Sequence, residues 1–275
     1  MVYKEAPRGY KKRIFNYGPY SPSRLITAKC PQRFFGQYIR KDKVIGASVA
    51  ADRGNAIHQV LEQITLARAQ ELALTPKQIN DWISKAVGEY SAAYQQIDLV
   101  SGAVQSYIMN QNPYSNKNTL CEKSFAVQLW EEESFVDDAV SNYCFVEAQY
   151  DRKTRGGDFF FGGHIDQLTV DDEIKVVTVL DHKSTPSANE NEDHTFQVGA
   201  YAWLVSLFYP GYKIRTVLHY AHPALNFYGA PVYWEQEDLA EIQGFITSRV
   251  GAIEHMQDFP AVPGTSCDYC HMTQE

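Results

Sequence analysis

Long apolar runs are absent from this sequence. No stretch approaches the roughly 18 to 20 apolar residues that a membrane-spanning helix needs. The polar and basic stretch 1–12 is not followed by an apolar run, which argues against a secretory signal peptide. We therefore expect a cytoplasmic protein without a membrane partner. Apolar residues still make up 44% of the chain, which is enough to build a folded core.

Cysteine is also scarce, with five residues in 275. An odd number of cysteines in a chain without a signal peptide argues against a disulfide framework. Metal or cluster binding is the better hypothesis for these cysteines, and Cys267 and Cys270 form a Cys-x-x-Cys pair.

Positive charge is in deficit overall but concentrated at one end. The formal net charge is −8, yet residues 1–43 hold 11 Lys or Arg and only two acids, Glu5 and Asp42. This segment is either a solvated basic tail or a face that contacts phosphate groups. The candidates for phosphate contact are Arg24, Lys29, Arg33, Arg40 and Lys41.

The hydrophobic pattern changes along the chain from helical to strand-like. It predicts helices over 22–39, 50–73, 76–94 and 102–109, after an irregular segment 1–20. Strands are predicted over 124–130, 142–150, 159–170, 174–182, 214–221 and 227–234, with helices over 194–209 and 237–256. We expect one integrated α/β domain: a basic segment and helical subdomain over 1–118, and a mixed sheet flanked by helices over 119–275.

The strands on either side of the predicted turn 171–173 carry a pair of carboxylates. In a hairpin about this turn, residues whose numbers add up to about 347 face each other, which places Asp166 opposite Asp181. Lys183 lies two residues further along, on the same face. A divalent cation would relieve the repulsion between the carboxylates, and the ammonium group suits phosphodiester hydrolysis. Asp-x-Lys also occurs by chance, but here it ends the apolar strand 176–180.

Several motifs follow one another in an order that resembles the RecB-like branch of the PD-(D/E)XK nucleases. The resemblance spans about residues 20–270 and implies a restriction-endonuclease-like fold. Its motifs are Ser21-Pro22-Ser23-Arg24-Leu25 with Cys30-Pro31, Gly54-x-x-x-His58, Gly162-Gly163-His164-Ile165-Asp166, Asp181-His182-Lys183 and Gln197-x-x-x-Tyr201.

The resemblance implies a Mg²⁺ or Mn²⁺ site. Asp166 and Asp181 match the family's metal-binding carboxylates, and His58 matches its helical histidine ligand. The carbonyl group of His182 is a further ligand by the same comparison. An imidazole ligand favours Mn²⁺ relative to a site made only of oxygen atoms.

The resemblance also implies the groups that act on the substrate. Lys183 matches the catalytic lysine. Gln197 and Tyr201, four residues apart, share one helix face that the family places over the active site, in contact with the lysine or the phosphate. Glu62 and Glu147 are weaker candidates for acids that support the site.

We therefore expect a metal-dependent DNA nuclease, most simply an exonuclease that acts on DNA ends or single strands. Its context would be DNA repair, recombination or CRISPR adaptation, with a possible protein partner. No Walker motif is present, so a helicase–nuclease is not expected. Two alternatives remain open: a structure-selective endonuclease with the same site, and a non-catalytic DNA-binding subunit of a larger complex.

Some members of the resembled family carry a [4Fe–4S] cluster on one early cysteine and three late ones. This sequence offers Cys30, Cys267 and Cys270, and a fourth matching cysteine is absent. Cys121 and Cys144 fall in predicted strands, where we expect buried apolar roles. Three explanations stay open: a chain that stops before its last ligand, a cluster or zinc ion with a non-cysteine fourth ligand, or an empty remnant.

Overall fold

A computed structural model of the chain describes residues 2–42, 49–132, 143–150, 157–188 and 191–262. These residues form a nine-stranded sheet flanked by seven α-helices. The strands are β1 (Val2–Tyr3), β2 (Tyr10–Lys12), β3 (Thr119–Glu132), β4 (Tyr143–Glu147), β5 (Phe161–Asp171), β6 (Val176–Lys183), β7 (Lys213–His222), β8 (Leu225–Tyr228) and β9 (Val232–Trp234).

The helices are α1 (Pro22–Thr27), α2 (Pro31–Phe34), α3 (Val49–Ala69), α4 (Pro76–Glu89), α5 (Ile97–Met109), α6 (Glu192–Phe208) and α7 (Gln236–Glu254). A π-helical turn, Phe35–Arg40, continues α2, and a 3₁₀ segment, Ser91–Gln96, precedes α5. None of these helices is both long and apolar enough to span a membrane.

The sheet is mixed, which confirms the predicted α/β class. Its order is β1-β4-β3-β5-β6-β7-β8, with β2 added beside β3 and β9 beside β7. The β6–β7 and β1–β4 pairs are parallel, and the others are antiparallel. The parallel β6–β7 step is bridged by α6, so this helix must cross one face of the sheet.

Helix α6 lies at the centre of the main core. Residues 198–205 are buried without interruption, and Trp203 is 1% exposed. A helix that is apolar on every side needs cover on every side. Here the sheet lies on one side, while α7 and α1 cover others; Phe34 and Phe161 belong to the same core.

Helices α3, α4 and α5 form a second hydrophobic core. Ile57, Leu61 and Ile64 of α3 are fully buried against side chains of the other two helices. Thr75 begins α4 with a reciprocal capping box that includes Gln78, which satisfies backbone donors at the helix start. Within this helical layer, α3 is the helix that contacts β3 and β5 of the sheet.

The N-terminal segment was predicted to be irregular, and this is wrong for two parts of it. Strand β1 pairs with β4, with Val2 beside Phe145, and β2 pairs with β3. The segment is also fastened at the far end of the chain, because the Glu254 carboxylate of α7 accepts hydrogen bonds from the backbone N–H groups of Asn16 and Tyr17 at 2.7 and 3.0 Å.

Two predicted continuous elements are interrupted by proline. The helix predicted over 22–39 breaks at Cys30, whose extended backbone precedes Pro31, because a residue before proline disfavours the helical conformation. The strand predicted over 227–234 divides into β8 and β9 around Pro231, which has no N–H group to donate to the sheet.

Candidate metal centre and active site

The strands β5 and β6 carry the two aspartates that the sequence pattern brings together. Their register pairs Gln167 with Leu180 and Leu168 with Val179, as the predicted hairpin requires. Asp166 and Asp181 are the next residues in this register. Asp166 Oδ2 accepts a hydrogen bond from the backbone N–H of His182 at 2.7 Å, so the carboxylate lies across the end of β6.

Lys183 is held by two polar partners. Its Nζ is 2.7 Å from Asp181 Oδ2 and donates to Gln197 Oε1 at 2.8 Å. Gln197 in turn donates through Nε2 to Asp181 Oδ1 at 3.2 Å and to the Tyr201 hydroxyl at 3.3 Å. Through these hydrogen bonds, the helix face carrying residues 197 and 201 lies over the lysine.

The close approach of α6 to β5 depends on a glycine. A Cβ atom at Gly163 would lie 2.7 Å from Cε1 of Tyr201, well inside the normal contact distance. Burial raises the pKa of the Tyr201 hydroxyl, which therefore stays protonated. The glycine thus allows a neutral hydrogen-bond donor to stand beside Gln197.

Helix α3 brings His58 to the other side of the aspartates. His58 Nδ1 lies 3.4 Å from Asp166 Oδ1. Burial on its own lowers the pKa of His58, but the neighbouring Asp166 carboxylate outweighs it and raises the pKa to about 9. For Asp166, burial raises the pKa, and the nearby imidazolium reverses this and holds the pKa well below its usual range. A metal ion bound here would replace the shared proton.

Glu122 completes this group and was missed by the sequence analysis. Its carboxylate lies with His58 and Asp166 in a set whose ligand atoms are all within 4.8 Å of one another. Glu122 stands on β3 between the register pairs Cys121–Gln167 and Lys123–Ile165. The register of β3 with β5 is the signal that could have found it, because it places Glu122 opposite Asp166.

The donor set suits a divalent cation. Two carboxylates and one imidazole match the oxygen and nitrogen ligands of Mg²⁺ and Mn²⁺. Asp181 is oriented differently, with both oxygens contacting Lys183 or Gln197. Burial raises the pKa of Asp181, while Lys183 acts in the opposite direction. The arrangement therefore combines a cluster of ligands with an adjacent carboxylate–ammonium pair.

The sequence matches the model of a known protein family. Residues 19–274 match the family model of the PD-(D/E)XK nuclease superfamily, which covers nearly the whole chain. The chain belongs to the PD-(D/E)XK nuclease superfamily. This membership supports a metal-dependent nuclease and confirms the expected restriction-endonuclease-like fold.

Two further comparisons give little beyond this. No curated protein matches the sequence of this PD-(D/E)XK protein. A solved structure described as "Crystal structure of SSO0001" is similar at 12% identity, over 90% of this chain and 93% of that chain, with a TM-score of 0.32. A similarity at that level carries no argument about activity.

The His182 side chain points into a buried histidine pair. Its Nδ1 lies 2.8 Å from Nδ1 of His219, and His219 Nε2 lies 2.8 Å from Asn226 Oδ1. Burial lowers the pKa of both imidazoles, that of His219 to about 4. Both rings are therefore neutral, and metal ligation by His182 through its carbonyl group stays a prediction.

Three of the predicted DNA-contacting residues of this PD-(D/E)XK protein have partners within the chain. The Arg24 guanidinium lies 4.7 Å from the centre of the Tyr38 ring. Lys29 Nζ lies 2.6 Å from the Asp193 carboxylate. Arg40 donates a hydrogen bond to the Asp42 carboxylate at 2.5 Å. Of the remaining two, Arg33 is partly exposed and Lys41 is exposed.

The other predicted site residues are dispersed. Cys30 is half-buried before α2, whereas Cys267 and Cys270 lie outside the described residues. Cys121 and Cys144 lie in strands, as predicted, but they are half-buried, so the expectation that they are buried is wrong. The two weaker acid candidates lie in different places. Glu147 contacts Lys4. Glu62 lies near Cys121 and raises the pKa of its thiol, although burial is the larger cause.

Proposed function

We propose that this protein is a Mg²⁺- or Mn²⁺-dependent deoxyribonuclease that degrades DNA from ends or as single strands. The observation that carries the proposal is the joint position of the metal-ligand group and the Lys183–Gln197 pair at the end of β6. A bound cation would polarise the scissile phosphate, and a positive group beside it would stabilise the charge that develops there.

The depth of the site supports a single-stranded substrate. Asp166, Asp181 and Lys183 expose only 14%, 7% and 13% of their side chains. A duplex is stiff and presents its phosphates on an outer surface, whereas a single strand can bend into a recess. A frayed or free end therefore reaches these groups more easily than the middle of a duplex.

Different residues of the chain would bind the cation and act on the substrate. His58, Glu122 and Asp166 would hold the cation, with Asp181 and the carbonyl group of His182 as further ligands. A divalent cation bound there supplies Lewis acidity to the phosphodiester. Glu122 joins the proposed ligands on the geometry alone.

Lys183 is the proposed catalytic lysine. Its ammonium group stabilises the negative charge that develops on the phosphate, because it is already oriented and partly shielded from water. Gln197 fixes the ammonium through Oε1 and leaves the Tyr201 hydroxyl free to donate a hydrogen bond to the substrate.

The proposal is tested with end-labelled DNA, single- and double-stranded, linear and circular, in Mg²⁺ or Mn²⁺. An exonuclease shortens linear strands and leaves covalently closed circles intact. Cleavage of circles, or at internal junctions, favours the alternative of a structure-selective endonuclease with the same site. Failure to cleave any of these substrates, or RNA, would favour the non-catalytic DNA-binding subunit, for which a protein partner is then sought.

Neutralising Arg33, Arg40 and Lys41 together is expected to weaken DNA binding and flatten its salt dependence. Each lost phosphate contact on a single strand reduces the slope of log affinity against log salt by about 0.7, so the triple variant should lose roughly 2. Fluorescence anisotropy at several salt concentrations measures this slope.

The matched control neutralises three exposed lysines on other elements: Lys77, Lys85 and Lys213. The control should change the slope much less than the triple variant. Equal slopes for the triple variant and the unmodified protein would place the DNA path on another surface.

We further propose that Cys30, Cys267 and Cys270 bind an iron–sulfur cluster or a zinc ion. The last described residues run beside α2, where Gln32 donates its backbone N–H to the Pro260 carbonyl at 3.2 Å. The rings of Phe35 and Phe259 also stack there, at 4.6 Å. The chain thus returns to the neighbourhood of Cys30 a few residues before the Cys-x-x-Cys pair.

Protein purified without oxygen should contain iron and sulfide, with visible absorbance, or else zinc by metal analysis. Cys30→Ser should lose that metal, since thiolates are the ligands in either case. A native protein containing neither metal would contradict this proposal and favour the empty remnant.

A further inference from the structure

A polar patch lies beside the metal-ligand group, on residues that the sequence motifs leave without a role. Ser124 of β3 and His164 of β5 are register partners. Each stands two residues from a proposed ligand on its own strand, Ser124 from Glu122 and His164 from Asp166. His164 contacts both Ser124 and Glu122, and Glu122 lies in the ligand group with Asp166, so the four side chains form one patch.

Within this patch a histidine joins a serine to a carboxylate. His164 Nε2 contacts the Glu122 carboxylate, and His164 Nδ1 lies 2.9 Å from Ser124 Oγ. An ionised carboxylate can only accept, so Nε2 carries the hydrogen atom. In the neutral ring, Nδ1 is then an acceptor, and the Ser124 hydroxyl donates to it.

Both groups are well shielded, and the ring has a further contact. The side chains of Glu122 and His164 are 11% and 22% exposed. The Tyr150 ring lies nearly parallel to that of His164, with centroids 6.5 Å apart and an interplanar angle of 18°. The imidazole is therefore oriented by Ser124, Glu122 and Tyr150 together.

The backbone at Glu122 shows why such a support is useful. Its φ of 51° is a left-handed conformation that residues other than glycine adopt rarely and at a cost. Such conformations persist where the surroundings determine them, and they concentrate at functional sites. The contact with His164 holds the carboxylate of this residue in place.

We propose that His164 and Ser124 are positioning residues that hold Glu122 against the metal centre and thereby set its affinity for divalent cations. The inference rests on the proposed function for the existence of that centre. Partners that orient metal ligands fix the direction of the ligand atoms, and removing them weakens metal binding.

The test is a calorimetric titration of the full chain with Mn²⁺ in the absence of DNA. His164→Leu removes both hydrogen bonds of the ring and should weaken Mn²⁺ binding by about 10- to 100-fold. Ser124→Ala should weaken it less, because Glu122 keeps its donor. His164→Gln should bind nearly as the unmodified protein does, because its amide N–H can replace Nε2–H. His164→Gln therefore distinguishes the hydrogen bond to Glu122 from the packing of the His164 ring.

Two results would overturn the inference. One is unchanged Mn²⁺ affinity in both His164→Leu and Ser124→Ala. The other is an equal loss in His164→Gln and His164→Leu, which would assign the effect to packing of the ring. If His164→Leu does not fold, as judged by circular dichroism, Ser124→Ala and His164→Gln decide the question.

Failure of the proposed function is visible in the same titration. Asp166→Asn should abolish Mn²⁺ binding if the centre is where we place it, and unchanged binding in that variant would remove the centre itself. His255→Gln serves as the matched histidine control, because His255 is an exposed residue at the end of α7. It should bind Mn²⁺ as the unmodified protein does.

Discussion

Asp181→Asn is expected to reduce DNA cleavage by at least about 10³-fold, and Lys183→Ala by about 10²- to 10³-fold. The first substitution removes a carboxylate charge next to the proposed cation while keeping the shape of the side chain. The second removes the ammonium group that meets the charge developing on the phosphate. Steady-state cleavage of end-labelled single strands, at saturating Mg²⁺, measures both losses.

Folding must be shown to survive in these variants. Asp181→Asn leaves Lys183 hydrogen bonded to Gln197, so its thermal midpoint should change little. Lys183→Ala leaves the buried Asp181 without its ionic partner, and we expect a lower midpoint for it. Asp258→Asn, on an exposed loop residue, is the matched carboxylate control. Near wild-type cleavage by a folded Asp181→Asn protein would refute the proposed catalytic centre.

His58→Ala is expected to lower metal-dependent cleavage by about 10- to 100-fold, with a different loss in Mn²⁺ than in Mg²⁺. The imidazole supplies the single nitrogen ligand of the group, and Mn²⁺ accepts nitrogen more readily than Mg²⁺ does. Rates measured against metal concentration separate weaker metal binding from a slower chemical step.

His58→Gln is the informative companion to this variant. Its amide can still donate to Asp166 but is a weaker ligand, so it should preserve the contact between α3 and β5 better than it preserves metal binding. Unchanged rates for His58→Ala in both metals would instead assign His58 a structural role, as the ionic partner of Asp166.

The central hairpin could be predicted from the sequence because its signals are local. An apolar strand, a turn of acidic residues and alternating side chains together determine the register, which pairs Gln167 with Leu180 and brings Asp166 to the end of β6. The Lys183–Gln197 contact followed only from the family resemblance, because no local pattern brings α6 to the end of β6. The fold class was predictable for a similar reason, since helical and strand periodicities occupy separate parts of the chain.

Glu122 could not be predicted in the same way. The strand was predicted to begin at Ser124, whereas β3 begins at Thr119. The left-handed backbone at Glu122 interrupts the regular alternation of side chains, and periodicity arguments depend on that alternation. Strands β1 and β2 were missed because they have two and three residues, and their partners lie more than 100 positions away.

The pairing of the N-terminal segment has a consequence for how the protein folds as it is synthesised. Val2 lies beside Phe145, and Asn16 is bound by Glu254, so residues of this segment depend on partners that are synthesised much later. At about 10 residues per second, on the order of 25 s separate the synthesis of this segment from that of the end of α7. Contacts this distant in sequence slow folding. The N-terminal segment therefore completes its contacts only after α7 has been synthesised.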